Sequence, residues 1–207
     1  MKKVTKVFAI MAVGLIGFSS YAQFGVKAGL GVSSWTLKDR DVNVGQELFN
    51  AGFAFHTGMG FEIELGDNVS LEPALLFSQK TFSLESTANT NFAKIKTSFV
   101  EMPFNVKVYV VDLGDAARLY GIAGGYVAYM FSGKSNGNKL DIGNKSTDTF
   151  KSLDGGLNIG VGAKLFESLN VDFSGGIGIA NLANDQSNGT VSKINVVRLT
   201  VTYQFGG

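Results

Sequence analysis

Few side chains in this sequence could carry out chemistry. His56 is its single histidine. Set beside Ser33, Ser78 or Ser132, it could be the base that activates a nucleophile in an envelope lipid-modifying enzyme. None of these serines lies in a Gly-x-Ser-x-Gly elbow, and a buried or rim histidine paired with a carboxylate fits the pattern better. Asp39-x-Asp41-x-Asn43 has the spacing that opens a calcium loop. Such a loop needs glycine at its sixth position and glutamate at its twelfth; here Gly45 comes one position late and Asn50 stands at the twelfth. Gly29-x-Gly31 lies in an alternating stretch with no helix after it, so it is no phosphate cradle. The absence of cysteine excludes thiol catalysis, disulfides and cysteine-ligated metal. One histidine excludes a multi-histidine metal site within the chain. No catalytic, cofactor-binding or metal residue is assigned, and the expectation is a protein that is not an enzyme and holds no cofactor.

What remains is a set of charges recurring at alternate positions. The acids are Glu62, Glu64, Glu72, Glu101, Asp154 and Asp172; the bases are Lys27, Lys80, Lys107, Lys164 and Arg198. On the inner wall of a narrow barrel they must pair, because an unpaired buried charge costs several kcal/mol. The pairing reads as an ion-pair network that fills the lumen, with a gated ion path as the second reading.

The elements that would position these charges repeat with period two. In 53–65, Phe53, Phe55, Thr57, Met59, Phe61, Ile63 and Leu65 share one face, and Ala54, His56, Gly58, Gly60, Glu62 and Glu64 share the other. That is a strand with one bulky apolar face and one small or charged face. The pattern recurs over 24–33, 69–78, 101–110, 153–165, 171–180 and 197–205. An eighth strand, 118–132, has glycine and aromatics on both sides, so its facing stays open. Long connections (35–51, 83–95, 133–150, 183–192) alternate with short ones (66–68, 112–117, 167–170). This rhythm predicts an all-β, eight-stranded antiparallel up-and-down transmembrane β-barrel, with short turns and both termini in the periplasm.

Two eight-stranded barrels compete. A soluble carrier turns its apolar face inward; a membrane barrel turns it outward. The small face holds many of the 27 glycines. A water-facing glycine wall would weaken strands without gaining packing, whereas small residues lining a narrow lumen let it close around the long charged ones. The membrane reading follows. Trp35 and Phe131, with Phe24 and Phe166 at the other end, are expected to form interfacial aromatic girdles.

Residues 1–22 read as a signal peptide. Lys2, Lys3 and Lys6 precede an apolar run from Val7 to Phe18, too short to span a bilayer, and Ser20 and Ala22 supply the small residues of a cleavage site before Gln23. Residues 23–207 then form the barrel domain. Its fifteen basic and seventeen acidic residues give no electrostatic case for nucleic acid.

Thr97–Val110, reading Thr-Ser-Phe-Val-Glu-Met-Pro-Phe-Asn-Val-Lys-Val-Tyr-Val, resembles the Leu-Glu-Ile-Pro-Leu-plus-Lys strand of PorT-like outer-membrane β-barrel proteins. Phe24–Ser33 is similar to that family's opening Gly-Val-Lys-Gly-Gly strand, Tyr120–Met130 to its glycine-containing fifth strand and Val201–Phe205 to its closing Tyr-x-Phe. The resemblance covers the mature chain. It implies an eight-stranded outer-membrane protein of Gram-negative bacteria, but no single function. Phe205 is followed by Gly206 and Gly207, where such barrels usually end on an aromatic residue.

The leading expectation is a structural or surface-interaction barrel with a narrow, charge-filled lumen and four extracellular loops. The alternative is a small porin-like channel for ions or small solutes, with an envelope lipid-modifying enzyme third. Expected partners are outer-membrane lipid, the barrel assembly machinery during insertion, and an envelope or extracellular protein met through the loops.

Overall fold

The computed structural model describes residues 22–38, 49–84, 93–143, 145, 148–184 and 191–205. Eight long strands make the wall: β1 Ala22–Lys38, β2 Gly52–Gly66, β3 Val69–Leu84, β4 Ala93–Asp112, β5 Ala117–Ser135, β6 Leu153–Leu165, β7 Leu169–Gly178 and β8 Val191–Phe205. Each pairs antiparallel with the next. β8 returns to β1 over fifteen residue pairs, from Phe24↔Phe205 to Lys38↔Val191. The ring is therefore closed, which satisfies the edge groups of every strand. The signal peptide expected over 1–22 lies outside the described residues except for Ala22, the first residue of β1, and the calcium-like run from Asp39 to Gly45 lies outside them too.

The apolar face looks outward along most of the wall. Leu30, Phe53, Phe104, Leu157, Ile159, Val161, Phe173 and Leu199 are all exposed, while their chain neighbours are turned in. On β4 the outward row Val100, Met102, Phe104, Val106, Val108 and Val110 covers eleven residues, the length a tilted strand needs to cross a bilayer. Two aromatic ribbons bound this apolar zone. Near the long-loop end Phe53, Phe55, Phe77 and Phe131 follow one another at centroid separations of 5.9–6.4 Å. Near the short-turn end Phe61, Phe24, Phe205 and Tyr203 do the same at 5.0–5.8 Å. Phe24 and Phe131 thus stand where girdle residues are expected. Phe166 is exposed in the turn after β6. Trp35 is different: it points inward and is 1% exposed, because β1 runs on past the apolar zone and residue 35 shares the parity of Lys27.

The facing of β5 is settled by what lies across from it. Tyr120, Ile122, Tyr126, Ala128 and Met130 are buried inside. Tyr120 is in register with Gly162 and Tyr126 with Gly156. A Cβ at Gly162 would stand 2.5 Å from Tyr120 Cε2, and one at Gly156 2.7 Å from Tyr126 Cε1. The inward rings of β5 occupy room that β6 leaves by having no side chains there.

Several strands extend beyond the boundaries that alternation predicts, all at the long-loop end. β1 reaches Lys38, β3 reaches Leu84, β4 starts at Ala93 and β8 at Val191. In this extension the polarity inverts. Trp35, Phe82, Ile95, Phe99, Met130 and Ile194 are buried inside, while Ser34, Thr36, Ser98, Lys96, Ser132, Lys134, Lys193 and Asn195 lie on the outer face. A bulge at Phe131, where Ser98 pairs Ser132 and Phe99 pairs Met130, shifts the alternation of β5 by one residue, so that Gly133 points in and Lys134 out.

Candidate functional site: the barrel interior

The lumen is where the sequence's charged residues meet. Ten of the charges named above are buried, five acids (Glu62, Glu72, Glu101, Asp154, Asp172) and five bases (Lys27, Lys80, Lys107, Lys164, Arg198). The eleventh, Glu64, is exposed at the short-turn mouth. Alternation brings each inward, and the register of the closed ring decides who meets whom.

In the short-turn half, Lys107 on β4 lies between two carboxylates, with Nζ 2.9 Å from Glu62 Oε2 and 2.5 Å from Glu72 Oε2. Lys27 on β1 closes on the other oxygen of Glu72. Glu62 is the most heavily bonded acid. It accepts from Ser70 Oγ at 2.9 Å, from Asn170 Nδ2 at 3.3 Å, and from Tyr109 Oη and Gln204 Nε2. Tyr120 Oη donates to Asp172, and Lys107 Nζ stands 5.0 Å from the Tyr120 ring centroid. Seven of the eight strands contribute to this cluster, all but β6, and it ties opposite walls together across the axis. Lys164 Nζ donates to Gln23 Oε1 at 3.0 Å nearer the mouth, where a cavity of about 450 Å³ is lined by Gln23, Glu64, Asp112, Arg118, Lys164 and Glu167 among others.

Further up, Glu101 is the second node. Lys80 Nζ is 2.6 Å from its Oε1 and Arg198 Nη1 3.2 Å from its Oε2. Ser78 Oγ donates to the same carboxylate at 2.9 Å. The Lys80 ammonium also sits 4.6 Å from the Phe99 ring centroid, which marks the passage from charged to apolar interior. Above it Trp35, Phe82, Ile95, Phe99, Tyr126, Ala128, Met130, Leu182 and Ile194 form one buried apolar cluster, with Leu140, Ile142 and Phe150 packed against it. The last three and Leu182 come from the connections after β5 and β7, so the described parts of those connections fold over the mouth. Trp35 Nε1 donates to Ser192 Oγ at 2.7 Å, and its ring packs on Phe82 and Phe150.

The two connections also bond to each other. Lys151 N donates to Leu182 O at 2.9 Å, Leu182 N to Ser192 O at 2.8 Å, and Asn184 Nδ2 to the carbonyls of Gly143 and Asp148 at 3.1 and 3.0 Å. A short hairpin adds to this crown. Asn136 and Gly137 have φ of 49° and 89°, the left-handed pair of a type I′ turn. Asn138–Lys139 then pairs back on Ser135 and Lys134. The Asn-Gly dipeptide is the strongest short hairpin signal; reading 133–150 as one loop overlooks it.

The serine–histidine reading meets a different geometry. His56 is buried, and its Nε2 is 3.1 Å from Thr200 Oγ1, a hydroxyl where a carboxylate is expected. Ser78 is its register partner on β3, but that hydroxyl is given to Glu101. Ser33 Oγ donates to the Thr81 carbonyl at 3.2 Å. Ser132 is in register with Ser98 on the β4–β5 wall. The described residues place no serine hydroxyl on His56.

Comparison with known proteins bears on this geometry. Neisserial surface protein A has a similar fold, with a TM-score of 0.52 at 12% identity over 89% of this chain and 99% of that one. OprG of Pseudomonas aeruginosa gives 0.49 at 14% identity over 90% and 97%, and outer membrane protein W of E. coli 0.45 at 17% identity over 89% and 98%. No curated protein matches the sequence. A family model described as "outer membrane protein beta-barrel domain" matches residues 15–184. With its closed eight-stranded ring and outward apolar wall, the chain belongs to that outer-membrane β-barrel family.

Proposed function

We propose that the chain is a non-enzymatic barrel whose sealed interior serves as a rigid anchor for a surface-displayed crown. The observation that carries this reading is the continuity of interior contacts along the axis. Glu62, Lys107 and Glu72 bridge the short-turn half, Glu101 the middle, and the Trp35 cluster the long-loop half. Short turns of outer-membrane barrels face the periplasm, so in this reading the long-loop end faces outside. Loops carry most binding surfaces, and the interlocked segments 136–143, 148–152 and 179–184 would meet an envelope or extracellular protein partner. Residues 1–22 act as a cleaved signal peptide, the assembly machinery inserts the barrel, and the family kinship is PorT-like. Planar-bilayer recording tests the seal: the purified barrel is expected to give a flat trace at all voltages. Steady ion steps would instead support a narrow channel, the second reading, which the charged lining of the lower half favours.

A further inference from the structure

The outward wall changes character in three register rows as it leaves the apolar zone. Phe77, Val100 and Tyr129 lie side by side on β3, β4 and β5. One row higher, two residues along β3 and β4 and three along β5 because of its bulge, stand Gln79, Ser98 and Ser132, where Gln79 Nε2 donates to Ser98 Oγ at 3.3 Å. Two residues higher again, Lys96 is in register with Lys134, and Lys134 with Lys139 of the hairpin. Lys94 stands two residues beyond Lys96 on the same face, and all four are exposed. Lys94 is fixed to the hairpin through its own backbone: its N–H donates to Asn136 Oδ1 at 2.8 Å, and Asn136 N–H to its carbonyl at 3.0 Å.

Like charges directly across a sheet destabilise it, and here three neighbouring positions in a row carry them. Among the described residues, no carboxylate forms an ion pair with any of the four. Lys96 lies four residues above Val100, about 13 Å along the strand at roughly 3.3 Å per residue. With strand tilt that is the headgroup level, just beyond the ribbon of Phe77 and Phe131. Lysines at that level attract anionic lipid headgroups.

We propose that Lys94, Lys96, Lys134 and Lys139 form a binding row for the phosphate groups of a phosphorylated glycolipid in the outer leaflet. The phosphates relieve the repulsion across the row, and the acyl chains lie along the aromatic and valine wall directly below. The proposal rests on the long-loop end facing outside. Cleavage in the Asn136–Lys139 hairpin by protease added to intact cells tests that direction separately.

The binding test uses the full-length barrel in nanodiscs with lipid in both leaflets, so insertion direction does not enter. Zwitterionic phospholipid is doped with a phosphorylated lipid A-type glycolipid, its dephosphorylated form, or phosphatidylglycerol. Native mass spectrometry then counts the lipid retained by the wild type and by the K96Q/K134Q/K139Q variant, with folding verified by heat-modifiable gel mobility. The wild type is expected to retain the phosphorylated glycolipid in preference to both others. That preference should fall roughly fivefold for each lysine removed. If the triple variant does not fold, Lys139→Gln at the hairpin tip gives the single-residue step. Equal retention by wild type and variant, no difference between phosphorylated and dephosphorylated glycolipid, or equal lysine-dependent retention of phosphatidylglycerol would each overturn the proposal.

Discussion

The barrel consists of two stretches with opposite polarity. In the membrane stretch, valine, leucine and phenylalanine face out while lysine, glutamate and glycine face in. In the stretch toward the long loops, Trp35, Phe82, Phe99, Met130 and Ile194 face in while Ser98, Lys96, Ser132 and Lys134 line the outer face. The first is the arrangement of a membrane barrel, the second that of a soluble one. One set of strands carries both, and the change follows the solvent outside the wall. The difference teaches that the interior is stabilised in two unlike ways. The membrane stretch depends on pairing charges, where loss of one partner strands the other; the loop stretch depends on packing, where loss of a side chain leaves a cavity.

Four substitutions separate these mechanisms. Lys107→Met should have the largest effect, about 3–5 kcal/mol, because it leaves both Glu62 and Glu72 without their shared cation. Urea unfolding in detergent would read it, and adding Glu62→Gln in the same chain should recover part of the loss. Phe82→Ala, in the apolar cluster, should cost about 3 kcal/mol through the cavity alone, with no rescue by removing any charge. Gly162→Ala brings a methyl group against Tyr120 and Asp172. An overpacking cost of about 1–2 kcal/mol is expected, together with a change in the near-ultraviolet circular dichroism of the tyrosines. Trp35→Phe keeps an aromatic ring edge-to-face with Phe82 but loses the hydrogen bond to Ser192, for about 1 kcal/mol. If Phe82→Ala and Lys107→Met responded alike to removal of Glu62's charge, the two halves would not be distinct.

The sequence displays one of these stretches and conceals the other. In the membrane stretch, alternation separates bulky from small residues so sharply that the inward charges are named correctly, Glu64 at the mouth excepted. β4 shows why the other stretch is hidden. Its apolar residues fall on even positions from Val100 to Val110, but Ile95 and Phe99 are odd. A scan for one continuous phase ends where the phase flips, and the segment then reads as a loop. Trp35 reads as an interfacial residue for the same reason: tryptophan near a strand end suits a girdle, and only the continuation of β1 turns it inside. β5 stays ambiguous because its inner face is large rather than small, matched to glycines that belong to β6. No single strand contains that information. The partners of His56 and Glu62 are likewise set by the closed register, which joins positions more than a hundred residues apart.

Because the chain has no cysteine, one introduced thiol can report on water inside the wall. Ala128→Cys places it in the buried apolar cluster, with Asp67→Cys and Asn138→Cys as exposed references at the two ends. A membrane-impermeant thiol reagent supplied from both sides of the reconstituted barrel is predicted to modify both references while leaving residue 128 unmodified until the barrel is unfolded. Modification at residue 128 as fast as at the references would contradict a sealed interior.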